Sequence, residues 1–461
     1  MKTAAALLTL APMALAVTLP PFEKETLPNG VTVCLMPRRD TPLIAVQVTL
    51  RGGSEADPAG QAGLSALTAE LLRRGSGSRT ADEFAEALDY LGAAYSAGTQ
   101  PQAIVLRLEF LSKDAEAALG LLADAVARPA FAEEEVRKAV EQAADEVRSL
   151  KDQPGQAAQL YFRSLFYGPE HPYGRPPRGD EISLAKVSRA DVVAHHKKLY
   201  TGRNLIVTAA GDFDSGAFRT LLRKTFGGLP AGEAYRWREA PPIPAAKEPT
   251  LWLIDKPDAT QTYFLIGQPG LARTSPDRVP AQLVNALFGG RFTSLLNDAL
   301  RVDSGLTYGA RSVLDLNRLP GAISMYTFTR TDATKQAVDL ALDVLGKLRK
   351  NGVNEEQLAS TKAYIKGSYP TERLETADQL AGLLAEMELY GLGRDEVDDF
   401  FARVDAVTVE DANRIVRKYY SSDALQFLLL GNASAIRESV AGYAEKRKEI
   451  PVTSPGFGGS H

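Results

Sequence analysis

Short apolar runs and longer stretches of helical spacing follow one another along this 461-residue chain, and they do so twice in the same order. In the first half, Val31–Met36 and Ile44–Leu50 have strand composition and are separated by a turn-rich gap. A helical stretch from Gly63 to Arg74 follows. Val105–Phe110 alternates apolar and polar positions, as a half-buried strand does. Ala115–Ala127 and Glu133–Ser149 then carry apolar residues at helical spacing, and the half closes on a strand at Leu205–Ala210 and a helix at Ser215–Phe226. The second half repeats the plan. Leu251–Ile254 and Thr262–Ile266 are predicted strands, and Val279–Leu287 and Thr293–Leu300 predicted helices. Ala322–Phe328, Lys335–Arg349, Glu355–Ser368, Leu425–Leu430 and Ala433–Tyr443 complete the order.

Between the halves lies the Pro/Ala-rich stretch 239–248, where proline fixes extended backbone and blocks helix continuation. The expected organisation is therefore an N-terminal half over 17–238, a linker over 239–248 and a C-terminal half over 249–450. A Gly/Ser-rich tail over 451–461 is expected to be flexible. Strands followed by covering helices, twice over, predict an α+β fold of two similar units, each an antiparallel-rich sheet covered by helices.

Residues 1–16 have the layout of an export signal. Met1-Lys2 gives a positive start, Ala4 to Leu15 is apolar, and Ala14-Leu15-Ala16 is a small-x-small cleavage site. Cleavage there leaves Val17 as the new terminus, and the apolar stretch is shorter than the ~20 residues a bilayer span needs. A periplasmic or extracellular location is the expectation. Composition adds little: 44% hydrophobic and 24% charged residues are ordinary for a globular protein, and 53 basic against 57 acidic side chains leave a net charge of −4. No concentrated basic stripe suggests nucleic acid. Cys34 is the only cysteine, so no internal disulfide can form. Its apolar surroundings predict a buried thiol and not a nucleophile.

The candidate chemistry sits in two segments. Gly52 to Ser76 reads GGSEADPAGQAGLSALTAELLRRGS. It resembles the segment of the pitrilysin/insulinase zinc peptidases in which a strand and an acidic turn lead into a helix bearing HxxEH. In that family two histidines four apart hold zinc, and the intervening glutamate is the general base. Here the first histidine position is Ala66, the general-base position Ala69 and the second histidine position Glu70. Glu146, in Asp145-Glu146-Val147-Arg148, matches the family's third ligand, a downstream glutamate. Ala66 has no donor atom and the methyl of Ala69 cannot carry a proton. Two carboxylates without imidazole suit zinc poorly. Glu70 and Glu146 are expected to be solvated or paired with Arg73 or Arg74, with another cation as the alternative. The remaining histidines do not substitute: His195 and His196 are adjacent and point about 100° apart on a helix, His461 lies in the tail, and His171 falls in a turn where a packing or hydrogen-bonding role is expected.

The second segment runs from Phe288 to Tyr308, FGGRFTSLLNDALRVDSGLTY. It resembles the family's glycine-rich turn, the helix carrying an arginine, and the GLxY that opens a strand. The resemblance implies that Arg301 and Tyr308 contact substrate, the tyrosine by donating to the oxyanion and the arginine by binding a carbonyl or carboxylate. The likeness spans roughly Phe22 to Glu449, including the Asn29-Gly30 hairpin turn. Some bacterial members of the family occur as pairs of chains, one with HxxEH and one with the Arg/Tyr pair, closing like a clamshell over a peptide chamber. The resemblance thus implies a non-catalytic chain with no cofactor of its own, inactive alone. Its expected partners are a zinc-bearing paralogue with HxxEH and an unfolded peptide substrate. The alternative is an inert peptide-binding or scaffold protein of the same fold, like the core subunits of respiratory complexes.

Overall fold

The computed structural model describes residues 17–241, 243 and 248–458. The predicted export signal and His461 lie outside them. Strands β1 (Glu23–Thr26), β2 (Thr32–Pro37), β3 (Leu43–Arg51), β4 (Ala94–Thr99), β5 (Ala103–Leu111) and β6 (Leu205–Gly211) belong to the first half. Strands β7 (Thr250–Asp255), β8 (Gln261–Pro269), β9 (Arg311–Leu316), β10 (Pro320–Arg330), β11 (Gln426–Gly431) and β12 (Lys446–Pro451) belong to the second. The helices are α1 (Leu64–Leu71), α2 (Ala81–Tyr90), α3 (Ala115–Ala127), α4 (Glu133–Lys151), α5 (Pro154–Tyr167), α6 (Glu181–Leu184), α7 (Arg189–Leu199) and α8 (Ser215–Phe226). After the linker come α9 (Arg278–Asn285), α10 (Leu295–Asn297), α11 (Thr334–Asn351), α12 (Glu355–Arg373), α13 (Ala377–Tyr390), α14 (Asp395–Asp398), α15 (Phe400–Ala406), α16 (Val409–Tyr419) and α17 (Ala433–Val440).

The two sheets have six strands each, in the orders β1-β2-β6-β3-β5-β4 and β12-β7-β11-β8-β10-β9. Leaving out the outermost β1 and β12, the orders superimpose strand for strand. In these shared five-strand orders one parallel pair (β2–β6, β7–β11) adjoins antiparallel neighbours, and at the edges β1 pairs antiparallel with β2 whereas β12 pairs parallel with β7. This is the predicted α+β architecture, two helix-covered, antiparallel-rich units of one plan.

Alternation along each strand makes two faces. Ile44, Val46, Val48 and Leu50 of β3 enter the core of the first half with α1, α3 and α8, while Phe264 and Ile266 of β8 enter the matching core of the second. The opposite faces are covered by an exchange of helices. α5 of the first half lies on β8 and β11 of the second sheet, and α13 of the second half lies on β3 and β6 of the first. Each exchanged helix follows the 19-residue helix of its own half, α4 or α12. Thus Tyr161 and Phe162 pack with Leu265 and Leu428, whereas Leu380 and Leu384 pack with Cys34, Met36 and Ala45. Each large apolar side chain so buried contributes about 1.5–3 kcal/mol, so the two halves stabilise each other. Cys34 is fully buried here, and burial with Glu388 nearby pushes its thiol up to about 12.

Two expectations change. The predicted helix Thr293–Leu300 is shorter: α10 gives way to a widened π-turn over Asp298–Asp303, and another such turn, Ala286–Gly290, ends α9. The predicted flexible tail 451–461 is anchored through residue 458. Phe457 is 2% exposed and packs edge-on to Tyr161 at 5.3 Å, and Lys151 Nζ donates to the Ser454 carbonyl at 2.7 Å. One buried aromatic outweighs the Gly/Ser composition around it. No helix among the described residues is long and apolar enough to cross a membrane.

Candidate functional site

The turn before α1 is built on Asp57. Its Oδ2 accepts from Gly63 N at 2.8 Å, and its Oδ1 from Ser65 N at 2.8 Å. Gly63 has φ +92°, and a Cβ there would stand 2.7 Å from the Arg178 backbone, so only glycine lets α1 start here. Ser65 Oγ lies 2.6 Å from Asp57 Oδ1, 2.7 Å from Gly53 O and 2.9 Å from His195 Nε2. The Ser65 hydroxyl thus bridges the carboxyl, the Gly53 carbonyl and the imidazole. Burial pushes the Asp57 carboxyl up to about 7 and holds the His195 imidazole down to about 4. Serine, histidine and aspartate are at most 4% exposed. Substrate cannot reach them, and they serve as a buried clamp on α1. Sequence reasoning missed this cluster because Ser65 and His195 are 130 positions apart. His171 has the packing role expected of it: its Nδ1 accepts from Tyr173 N at 3.1 Å and its ring stacks on Tyr167.

α1 turns Ala66 and Glu70, one helical turn apart, towards a cavity of about 950 Å³ walled also by α4 and by Ala97–Thr99 of β4. Ala69 points the other way and is 1% exposed in the core. Glu70 Oε1 accepts from Arg73 Nη2 at 2.7 Å and from Arg74 Nη2 at 3.2 Å, the pairing expected of it. Glu146 lines the same cavity and pairs with Arg178 at 3.6 Å. The residues at the metal positions therefore do not fit zinc. Ala66 has no donor atom, and the two carboxylates, Glu70 and Glu146, lie against arginines. Among the described residues no group of three or more His, Cys, Asp or Glu side chains could hold a metal ion. β4 pairs only with β5, so its other edge is free beside the cavity.

Arg301 and Tyr308 occupy the other half and do not line this cavity. Asn297 fixes their segment: its Nδ2 donates to Phe292 O at 2.8 Å and its Oδ1 accepts from Ala310 N at 3.1 Å. Thr327 and Thr329 of β10 donate to the carbonyls of Gly309 and Leu306 at 2.9 and 2.7 Å. Gly305, at φ +62°, turns the chain out of the π-turn. On this rigid base the polar tips are uncommitted. Tyr308 is 83% exposed, and Arg301 lays its guanidinium over the Phe292 ring, 4.7 Å from the centroid, with no carboxylate partner among the described residues. Phe292 (66% exposed) is a contact that the sequence offered no way to single out.

Buried Glu55 joins the two segments' surroundings. Its carboxylate accepts from Arg318 Nη2 at 2.9 and 3.1 Å, and from the Arg238 backbone N–H at 3.0 Å. The first half's acidic turn is thereby tied to the β9–β10 turn of the second half and to the chain leading into the linker.

Comparison with known proteins agrees with this architecture. The profile described as Insulinase (Peptidase family M16) matches residues 33–171, and that of the Peptidase M16 inactive domain matches residues 186–365. The chain belongs to peptidase family M16, the pitrilysin/insulinase family. An uncharacterised zinc protease of Mycobacterium tuberculosis is 27% identical over 408 residues, covering 86% of this chain and 90% of the relative. One from Bacillus subtilis is 25% identical over 404 residues, covering 87% and 96%. Among solved structures, an M16 inactive domain from Pseudomonas fluorescens gives a TM-score of 0.82 at 24% identity, covering 93% of this chain and all of that one. The Escherichia coli periplasmic protease PqqL gives 0.73 at 16% identity over 95% of this chain and 52% of its own length.

Proposed function

We propose that this chain is the zinc-less member of a two-chain M16 peptidase, exported from the cytoplasm, that binds unfolded peptide and holds it for hydrolysis at the zinc of an HxxEH-bearing paralogue. Arg301 and Tyr308 are its contribution to the joint site. The arginine binds a peptide carbonyl or carboxylate, and the phenol donates a hydrogen bond to the oxygen on which charge develops. The free edge of β4, beside the cavity at Ala66, accepts an extended segment of the same peptide by strand addition. The observation that carries this reading is the contrast in commitment. The carboxylates at the metal positions pair with arginines, while Arg301 and Tyr308 stand on a braced base with no ion-pair or hydrogen-bond partner among the described residues. A protein that only packs against others has no use for such a pair. The relatives named as zinc proteases supply the chemistry expected of the partner.

Capture on the tagged chain from its native extract tests the assembly. Recovery of an M16 chain with HxxEH, and peptidase activity that needs both chains, is the expected result. Recovery of a membrane complex, or full activity of the HxxEH chain alone, favours the scaffold reading instead.

A further inference from the structure

The two exchanged helices cover their sheets differently. Under α5 the second sheet is packed solid: a Cβ on Gly267 would come within 2.3 Å of the Phe162 ring. Under α13 the first sheet is not. A Cβ on Gly382 would meet nothing nearer than Gln47 Oε1 at 3.6 Å. The space left open is a cleft of about 730 Å³ between β3, β5, α9, α12 and α13, within the size range of ligand pockets. Its walls are polar where aromatic packing was available to the fold. Gln47 and Thr49 are 5% and 1% exposed, and Gln47 donates to Thr49 Oγ1 at 2.9 Å and accepts from Arg107 Nε at 3.1 Å. A cleft of this size with polar side chains held in place by one another along its wall has the make-up of a site for a polar ligand.

The chemistry of the cleft narrows that ligand. Its charges cancel: Arg273 bonds Glu386 and Glu396 at 2.8 Å each, Arg278 bonds Glu396 at 2.7 Å, Arg373 bonds Glu386, and Arg107 faces Asp378 at 3.7 Å. Every arginine of the lining is paired, so an anionic ligand finds no free counter-charge there, and the one carboxylate without a partner among the described residues, Glu372, is exposed to solvent. What remains is amides (Gln47, Gln100, Gln282, Asn317) and tyrosines (Tyr364, Tyr369), which donate and accept as a peptide backbone requires and offer flat apolar surface to its side chains. The place fits too. Thr99, the last residue of β4, lines the cavity at Ala66, and Gln100, the next, lines this cleft. A strand added to β4 that runs on past Thr99 is delivered to its mouth.

We propose that the cleft under α13 is a second peptide-binding site, taking a short uncharged stretch of the extended chain that pairs with β4. The inference rests on the peptide-binding reading above. Hydrogen exchange of the full chain with a capped, uncharged peptide of serine, alanine and tyrosine tests it. The peptide should be about twelve residues, long enough at about 3.4 Å per residue to cover β4 and enter the cleft. Protection is expected both at 94–99 and at 377–390. Gly382→Leu fills the cleft from α13 and Ser368→Trp from α12. Each should abolish the footprint at 377–390, keep that at 94–99 and weaken binding about tenfold, with no fall in Tm for the leucine variant. Protection confined to 94–99 in the unaltered chain, or a footprint at 377–390 that survives both fillings, overturns the proposal and leaves the proposed function standing. Protection at neither place removes both.

Discussion

Residues 63–76 and 288–308 lie in the same connection of the repeated plan, the helical stretch that joins β3 to β4 and β8 to β9, yet they have been treated in opposite ways. In the first, side chains that a metal would need are alanines or carboxylates bound to Arg73, Arg74 and Arg178. In the second, the backbone is fastened by Asn297, Thr327 and Thr329 while Arg301 and Tyr308 remain free. Loss of an enzyme's chemistry without a partner predicts no such difference. The carboxylates of the first segment are open to solvent and shared with neighbouring arginines. A donor held unpaired on a braced loop is ready to bind.

The largest effect on this comparison should come from breaking the tie between the halves. Arg318→Ala leaves the Glu55 carboxylate fully buried without its cation, and removing one partner of a buried pair costs about 3–5 kcal/mol. Urea unfolding should show that loss, and a change near zero would mean the halves are held by packing alone. Next is Tyr308→Phe in a reconstituted two-chain enzyme. Loss of an oxyanion donor lowers kcat by about 10²–10³, whereas Tm should not move because the ring is exposed. Unchanged kcat would remove Tyr308 from the joint site.

Acid should then separate the halves. His171, His195 and His196, all in the first half, are each held down to about 4 by burial. A depressed histidine binds its proton more weakly when folded, so its contribution is complete above pH 6.5 and is lost as pH falls towards 4. Asp57, raised to about 7, works the other way over nearly the same range, but three groups oppose one. Tm should fall between pH 7 and pH 5, with exchange accelerating first in β2, β3 and α7. Equal acceleration in β8 and β11 would contradict this. The smallest effect expected is from Phe292→Ala. It removes a cation–π contact worth about 0.5–1 kcal/mol, raising KM of the two-chain enzyme a few-fold at constant Tm.

Much of the plan was legible in the sequence because strand alternation and helical spacing are local signals. β2, β3, β5, β6 and the helices α1, α3, α4 and α8 lie where the pattern puts them. The exchange of α5 and α13 was not legible, since an apolar helical face does not say whose sheet it covers. β4, with the sequence AYSAGT, has only Tyr95 and Thr99 among the side chains that mark a strand, although it forms the free edge beside the cavity. The π-turns at Ala286–Gly290 and Asp298–Asp303 depend on long-range fastening by Asn297 and the β10 threonines. The positions Ala66, Ala69, Glu70 and Glu146 rest on the resemblance to the family's motif, which suggests the arginine pairing of Glu70 but not that Ala69 faces away into the core. Arg301 and Tyr308 were found the same way, and the structure adds the Phe292 ring beneath the arginine.

The division of labour between the two segments is tested most directly by metal analysis of the purified chain and of its reconstituted complex with an HxxEH-bearing M16 partner. The account predicts no stoichiometric zinc in the chain alone and one zinc per complex. One tightly held zinc in the isolated chain, with chelator-sensitive peptidase activity, would contradict it.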